Sequence, residues 1–457
     1  MASTNQHAVV VGASIAGVLA AKVLAGHFER VTLVDRDDMP REPVTRGGVP
    51  QGRHVHGLLS RGRAIIEGMF PGTTADLVAR GAVLGDAQAD GRYHFGAQPL
   101  ADGHADLPSL AVSRPLLEWY VRHRLLLDER VTVVEHTSVL DLAFTADERR
   151  VNGVIVADRD GGTPRMLAAD VVVDSSGRTS RTPEWLERRG YAGPPEEVRR
   201  IDKHYATRAF RRTSEPGQPI VRTVAARPGQ PRAGIILASE GDRWAVSLMG
   251  TDGLQPPLEL EEFRSWARTL DSPELADAID TLVPLDDGAR YRFPANRRRH
   301  YERLRDFPTG LVVTGDALCA FDPVYGQGMT VAAVEAEELG LCLADAGTED
   351  LAHRFHKRAA AHIDTPWMIA AGGAPPSGRR VPVRRRLLDA YLARLVRAAT
   401  TDPVLAAAFL RVTHLVDRPQ DLMRPALAVR VLRRRVTWTA PAGDVRQSGR
   451  VAVSHRG

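Results

Sequence analysis

Lysine is nearly absent from this chain. Only Lys22, Lys203 and Lys357 occur in 457 residues, so all but three of the 61 basic side chains are arginine. The arginines are interleaved with 56 acidic residues and form no long tract. The net charge of +5 therefore builds no stripe that would follow a phosphate backbone, and no nucleic-acid partner is expected. Cysteine is scarce too. Cys319 and Cys342 supply neither metal-ligand spacing nor a disulfide framework, and a reduced, cytoplasmic setting is the expectation. No apolar run has the length of a membrane span. The apolar stretch 8–21 follows MASTNQH, which has no Lys or Arg, unlike a secretory signal. His54 and His56 invite a metal reading, but no carboxylate or third histidine at ligand spacing completes a site, so no metal is expected.

What is present is enough apolar material, 43% of residues, for the cores of two or three domains. Residues 7–11, HAVVV, read as a short buried strand. GASIAG follows at 12–17, then an apolar-periodic helix and a second strand, VTLVD, ending at Asp35. In such a βαβ unit the helix N-terminus offers free N–H groups and a positive dipole end, which suits a pyrophosphate. Gly12 permits the tight turn, and Gly17 lets the helix pack closely on the strand. Ser14 stands where a middle glycine is usual. Asp35 lies 23 residues after Gly12, near the offset of about 20 at which an acid meets the ribose hydroxyls. The pattern predicts a dinucleotide site. The sequence holds one such cradle, so any nicotinamide must dock transiently elsewhere.

A second glycine-and-acid turn lies some 300 residues on. LVVTGD at 311–316 reads as a strand ending at Asp316, whose carboxylate can accept hydrogen bonds from sugar-alcohol hydroxyls. ALCAFDPVYGQGM and a long helical pattern follow. Gly326 and Gly328 allow a flat ring to approach the backbone. The helix dipole would stabilise negative charge on that ring.

These stretches carry a family resemblance. GASIAG with VTLVDRD, GVPQGRHVHGLL at 48–59, SRPLLEW at 113–119, ADVVVDSSGRTSR at 169–181 and GDALCAFDPVYGQGM at 315–329 resemble the group A FAD-dependent monooxygenases. More narrowly they resemble bacterial polyketide-tailoring oxygenases and epoxidases and their FAD-dependent cyclase relatives. The resemblance implies FAD, gripped at one end by Gly12, Ala13, Ser14, Ile15, Ala16, Gly17, Asp35 and Arg36. It implies Arg114 at the phosphates or ribityl chain, and Asp174 and Gly177 in the motif for FAD and pyridine-nucleotide contact. Gly315, Asp316, Pro323, Gly326, Gln327, Gly328 and Met329 would hold the ribityl chain and isoalloxazine. His54, His56 and Arg53 are candidates to supply a proton or fix a substrate. Two departures stand out. Position 322 is Asp where Asn is expected, and AAGGAPPSG follows Trp367 where relatives carry an acid and an arginine.

The fold expected is α/β (α+β), a Rossmann-type FAD-binding domain with an inserted antiparallel-sheet substrate domain and a C-terminal helical region. The expected divisions are 1–200 and 296–375 for FAD, 201–295 for the sheet, 376–440 for the helices and 441–457 for a tail. A turn signal at 240–242 falls between two strand-like segments. Residues 388, 391, 392 and 395 share one face of an arginine-rich helix. That face is expected to pack on the body rather than on a membrane surface.

The resemblance implies transfer of one oxygen atom from O2, through a flavin C4a-hydroperoxide and with NAD(P)H as transient reductant, to an alkene or aromatic carbon of a polyketide-like molecule. A redox-neutral FAD-bound cyclase, closing a polyene by [4+2] cycloaddition, is the alternative. A halogenase would need a suitably placed lysine and paired tryptophans, and neither is expected here. The assembly expected is a monomer or homodimer.

Overall fold

All five residues of the strand His7–Val11 are buried, as a central parallel strand covered on both faces requires. The computed structural model describes residues 6–213, 217–370 and 383–433. The expected tail, and nearly all of AAGGAPPSG, lie outside the described residues. Five parallel strands run in the order Leu311–Val313, Val171–Asp174, His7–Val11, Arg30–Val34, Val131–Val134. The helix Ile15–Leu24 connects the first strand to the second and buries Val18, Leu19 and Leu24. From His7–Val11 the sheet grows in both directions, so the carboxyl end of that strand is a switch point, where ligands of such sheets bind.

A second sheet of seven strands faces this edge. Its order is Cys319–Ala320, Ala289–Arg299, Glu196–Arg211, Arg243–Gly250, Arg232–Ser239, Val221–Val224, Gly91–His94. Neighbours are antiparallel except the last pair. The turn signal at 240–242 joins a hairpin in which Ser239 faces Arg243, with Gly241 and Asp242 at positive φ. The sheet is wider than the segment 201–295. It starts at Glu196, ends at Arg299 and borrows a strand from each flanking part, because pairing satisfies edge hydrogen bonds whatever the sequence distance.

The helices Val383–Ala399, Pro403–Thr413 and Pro425–Arg433 form a satellite core. Leu395, Leu405 and Leu410 pack there with Leu100 and Leu107 of the N-terminal part. Tyr391 and Leu392 lie against that core, so this face meets the body. Among the described residues no helix is long and apolar enough to cross a membrane.

Candidate active site

At the carboxyl edge of the parallel sheet the strand ends are stitched together. Gly12 N–H donates to the Val34 carbonyl at 2.8 Å, Ser175 N–H to Val11 at 2.9 Å and Thr314 N–H to Asp174 at 2.9 Å. The two glycine turns touch. Gly315 has φ +65°, and a Cβ there would stand 2.7 Å from the Ala16 Cβ. At Gly12, φ is +99° and a Cβ would meet the Ser175 carbonyl oxygen at 2.6 Å. At Gly17 it would meet the Gly12 carbonyl oxygen at 1.8 Å, so Gly17 serves close packing of helix on strand.

These turns border a cavity of about 1060 Å³. Gly12, Ser14, Ile15, Ala16, Asp35 and Arg36 line one end, with Arg114 and Gly177 further along. Gly315, Asp316, Pro323, Gly326, Gly328 and Met329 line the other side, and His54 and His56 also face in. Five expected residues do not line it. Ala13 points its N–H at Asp35 Oδ2 at 2.7 Å. Gly17 is consumed by packing. Asp174 is buried and accepts from Ser180, Thr182 and the Ser176 N–H, so it shapes the turn that presents Gly177. The Gln327 side chain turns away, donating from Nε2 to the Thr413 carbonyl at 3.0 Å. Arg53 is exposed, at the end of the turn Pro50–Arg53.

The nucleotide end holds a charge cluster that spacing alone did not reveal. Arg46 bridges Asp35, Asp37 and Glu118, all buried. Burial alone would raise the Glu118 carboxyl, but Arg114 and Arg46 outweigh it and hold the group below its usual range. Ser113 caps the helix Arg114–Leu125 by accepting from the Leu116 N–H. Arg114, in the first turn, donates to Glu118 at 2.9 Å and to Ser14 Oγ at 2.6 Å. The Arg114–Glu118 spacing of four was a readable helical signal. Arg46, in a loop, had none.

At the other end Asp322 is buried and accepts from Lys203 Nζ at 2.5 Å and from the Tyr205 hydroxyl at 2.5 Å. Lys203 thus lies on the cavity wall beside the flavin turn, where no lysine was expected. Arg178 rests over the rings of Phe293 and Tyr291, 5.1 and 6.0 Å from their centroids. His54 Nδ1 lies 2.7 Å from Thr207 Oγ1, and the Thr207 and Ser247 hydroxyls are hydrogen-bonded. His56 donates from Nδ1 to the His54 carbonyl at 2.9 Å. Burial pushes both imidazoles down to about 4, so both are neutral at pH 7. Among the described residues no three His, Cys, Asp or Glu side chains form a metal cluster.

The arrangement fits FAD. The helices Ile15–Leu24 and Gly328–Ala346 begin at the cavity without side-chain caps, leaving first-turn N–H groups for a ligand. A Cβ on Gly328 would meet nothing within 4 Å. Asp316 faces the cavity, and its enclosure by protein raises its carboxyl, with Arg178 and Arg114 acting the other way.

Residues 8–180 match the family model described as FAD dependent oxidoreductase. Protein Rv3254 of Mycobacterium tuberculosis is 35% identical over 432 residues, 90% of each chain. Kynurenine 3-monooxygenase of Salinispora arenicola is 25% identical over 379 residues, 74% of this chain and 72% of that one. The chain belongs to the group A flavoprotein monooxygenase family. As a member it is an FAD-dependent oxidoreductase. Two solved structures show how widely this fold is shared. PqsL of Pseudomonas aeruginosa, a probable FAD-dependent monooxygenase, superimposes with TM-score 0.59 at 16% identity, covering 88% of this chain and 100% of its own. The Diels-Alderase PyrE3 of pyrroindomycin biosynthesis gives 0.57 at 20% identity, covering 90% and 81%. In this flavoprotein the mixed α/β architecture is that of its neighbours.

Proposed function

We propose that this flavoenzyme inserts one oxygen atom from O2 into an alkene or electron-rich ring of a polyketide-like molecule, with NAD(P)H as transient reductant. The observation that carries this reading is that one cavity joins both glycine turns to the inward face of the seven-stranded sheet. Bound FAD supplies the redox chemistry, taking electrons from the nicotinamide and activating O2.

The chain's own residues bind, orient and exclude water. Arg114 and the uncapped N-terminus of Ile15–Leu24 receive the diphosphate. Asp316 accepts from the ribityl hydroxyls, and Gly328 lets the ring lie against the first turn of its helix. The helix Pro403–Thr413 closes the sheet side with Phe409, Leu410 and Thr413, which keeps the reacting atoms dry. Neutral His54, anchored on Thr207, and neutral His56 offer ring nitrogens to a polar group of the substrate without adding charge.

A redox-neutral cyclase is the second reading. It is favoured by the sheet wall, which contributes shape and apolar surface but no charged acid or base from Val221–Val224, Arg232–Ser239 or Arg243–Gly250. Product mass separates the two. The holoenzyme is incubated with a polyene polyketide, with and without NADPH, under labelled O2. One added labelled oxygen that requires NADPH supports the oxygenase. An isomer formed without NADPH indicates the cyclase, and an unchanged ligand removes both.

A further inference from the structure

Lys203 is one of three lysines in the chain, and its ammonium is anchored on Asp322. The substrate side of the same cavity is walled by Val221, Ile235, Leu237, Met249, Phe409 and Leu410. The hydroxyls of Thr223 and Ser247 are the polar side chains that the strands Val221–Val224, Arg232–Ser239 and Arg243–Gly250 add. On the flavin side Arg178 has Asp316 as its charged neighbour. The ammonium that the seven-stranded sheet puts on this wall is thus paired with a carboxylate, while Arg178 lies on the flavin side over Phe293 and Tyr291. An extra anion against the sheet wall would lose its hydration and meet there only a cation already neutralised, an expensive transfer into low dielectric.

We infer that the chamber selects an electrically neutral, largely apolar substrate, and that the Asp322 carboxylate sets this selectivity by cancelling the Lys203 ammonium on the chamber wall. The inference rests on the flavin reading above and adds the charge class of the substrate and a residue that determines it. His54 and His414 are consistent with it, because burial pushes both imidazoles down to about 4 and leaves them uncharged at neutral pH. Tyr205 keeps its proton, since burial and the Asp322 carboxylate both oppose ionisation. Its hydroxyl and the Val324 N–H then hold Asp322 where it meets Lys203.

The test uses the oxidised holoprotein without NAD(P)H, so it does not depend on oxygen insertion. Pyrenebutanol and pyrenebutyrate, matched in shape and differing in charge, are titrated against it and followed by pyrene fluorescence. The alcohol is expected to bind at least about tenfold tighter, a difference of about 1.4 kcal/mol. Asp322→Asn unmasks the Lys203 ammonium and is expected to shift the ratio toward the carboxylate by at least about tenfold. Adding Lys203→Met to that variant is expected to restore the preference for the alcohol. Flavin absorbance shows that each variant retains cofactor. Equal or tighter binding of pyrenebutyrate to the native protein overturns the inference, as does an unchanged ratio in Asp322→Asn or failure of both probes to bind. Should Asp322→Asn not fold, the native ratio alone decides. A native preparation lacking flavin absorbance would instead overturn the cofactor reading, and this inference with it.

Discussion

Arg46 Nη1 stands 3.2 Å from both carboxylate oxygens of Asp35. The same nitrogen reaches Asp37 Oδ2 at 3.1 Å, and Nε donates to Glu118 Oε1 at 2.9 Å. One guanidinium thus neutralises acids from the second strand's end and from the helix Arg114–Leu125. It draws the loop carrying it under the nucleotide end of the cavity.

Arg46→Ala leaves three buried carboxylates facing one another, with Arg114 as the nearest remaining cation to Glu118. Breaking a buried ion network at its shared member costs about 3–5 kcal/mol. The expected outcome is a loss of that size in denaturant unfolding of the apoprotein. Arg46→Lys should recover only part of it, because an ammonium cannot bridge three acids in the planar geometry of a guanidinium.

Gly12 and Gly328 are both glycines of the cavity, but for different reasons. Gly12→Ala drives a Cβ to 2.6 Å from a backbone oxygen at φ +99°, so both folding and FAD binding should suffer. Gly328→Val fills only open cavity. The apoprotein should keep its Tm within about 2 °C, a change below about 1 kcal/mol. FAD retained per chain after gel filtration should fall by at least about tenfold. Retention of FAD by Gly328→Val would place the ring elsewhere.

Asp316 is exposed to the cavity, and no hydrogen bond or ion pair from the described residues holds its carboxylate. Removing such a group breaks no contact within the protein. Asp316→Ala should therefore leave the apoprotein at least as stable as the native chain while weakening FAD binding. Asp316→Asn should retain part of the affinity, since its amide oxygen still accepts from a hydroxyl. Loss of apoprotein stability together with FAD would instead make Asp316 a structural residue.

Behind the flavin turn, Thr314 Oγ1 and the Gly315 N–H both donate to Glu335 Oε2 at 2.6 Å. Burial pushes the Glu335 carboxyl from its usual 4.5 up to about 7, against the pull of those two hydrogen bonds. The folded state therefore holds this proton more tightly than the unfolded chain. The stability it contributes is complete below about pH 4.5 and is lost as the pH rises through about 7. Glu335→Gln keeps an acceptor and abolishes the titration. Relative to the native protein it should gain on the order of 3 kcal/mol above pH 8 and nothing near pH 4. Parallel stability–pH curves for the two proteins would contradict this.

Local chemistry explains why so much of the cofactor framework was legible. HAVVV and VTLV are short runs rich in β-branched residues, of the kind a buried parallel strand takes, and both lie in strands. The helix expected after GQGM spans Gly328–Ala346. The site residues that escaped notice, Arg46, Lys203, Tyr205 and Tyr291, lie on a loop and two strands whose neighbours are remote in sequence. Even Asp322, noted only as a departure from Asn, acquires its meaning from Lys203, 119 residues away.

By itself the sequence determined the strands, the glycine turns and the helices that follow them, because backbone sterics and hydrophobic periodicity act over a few residues. Tertiary structure alone decided that Gly315 touches Ala16, that Gln327 and Asp174 turn from the cavity, and that Lys203 meets a carboxylate there. Those outcomes depend on which distant segments the parallel and seven-stranded sheets bring together. Charge pairing operates across space, whatever the separation along the chain.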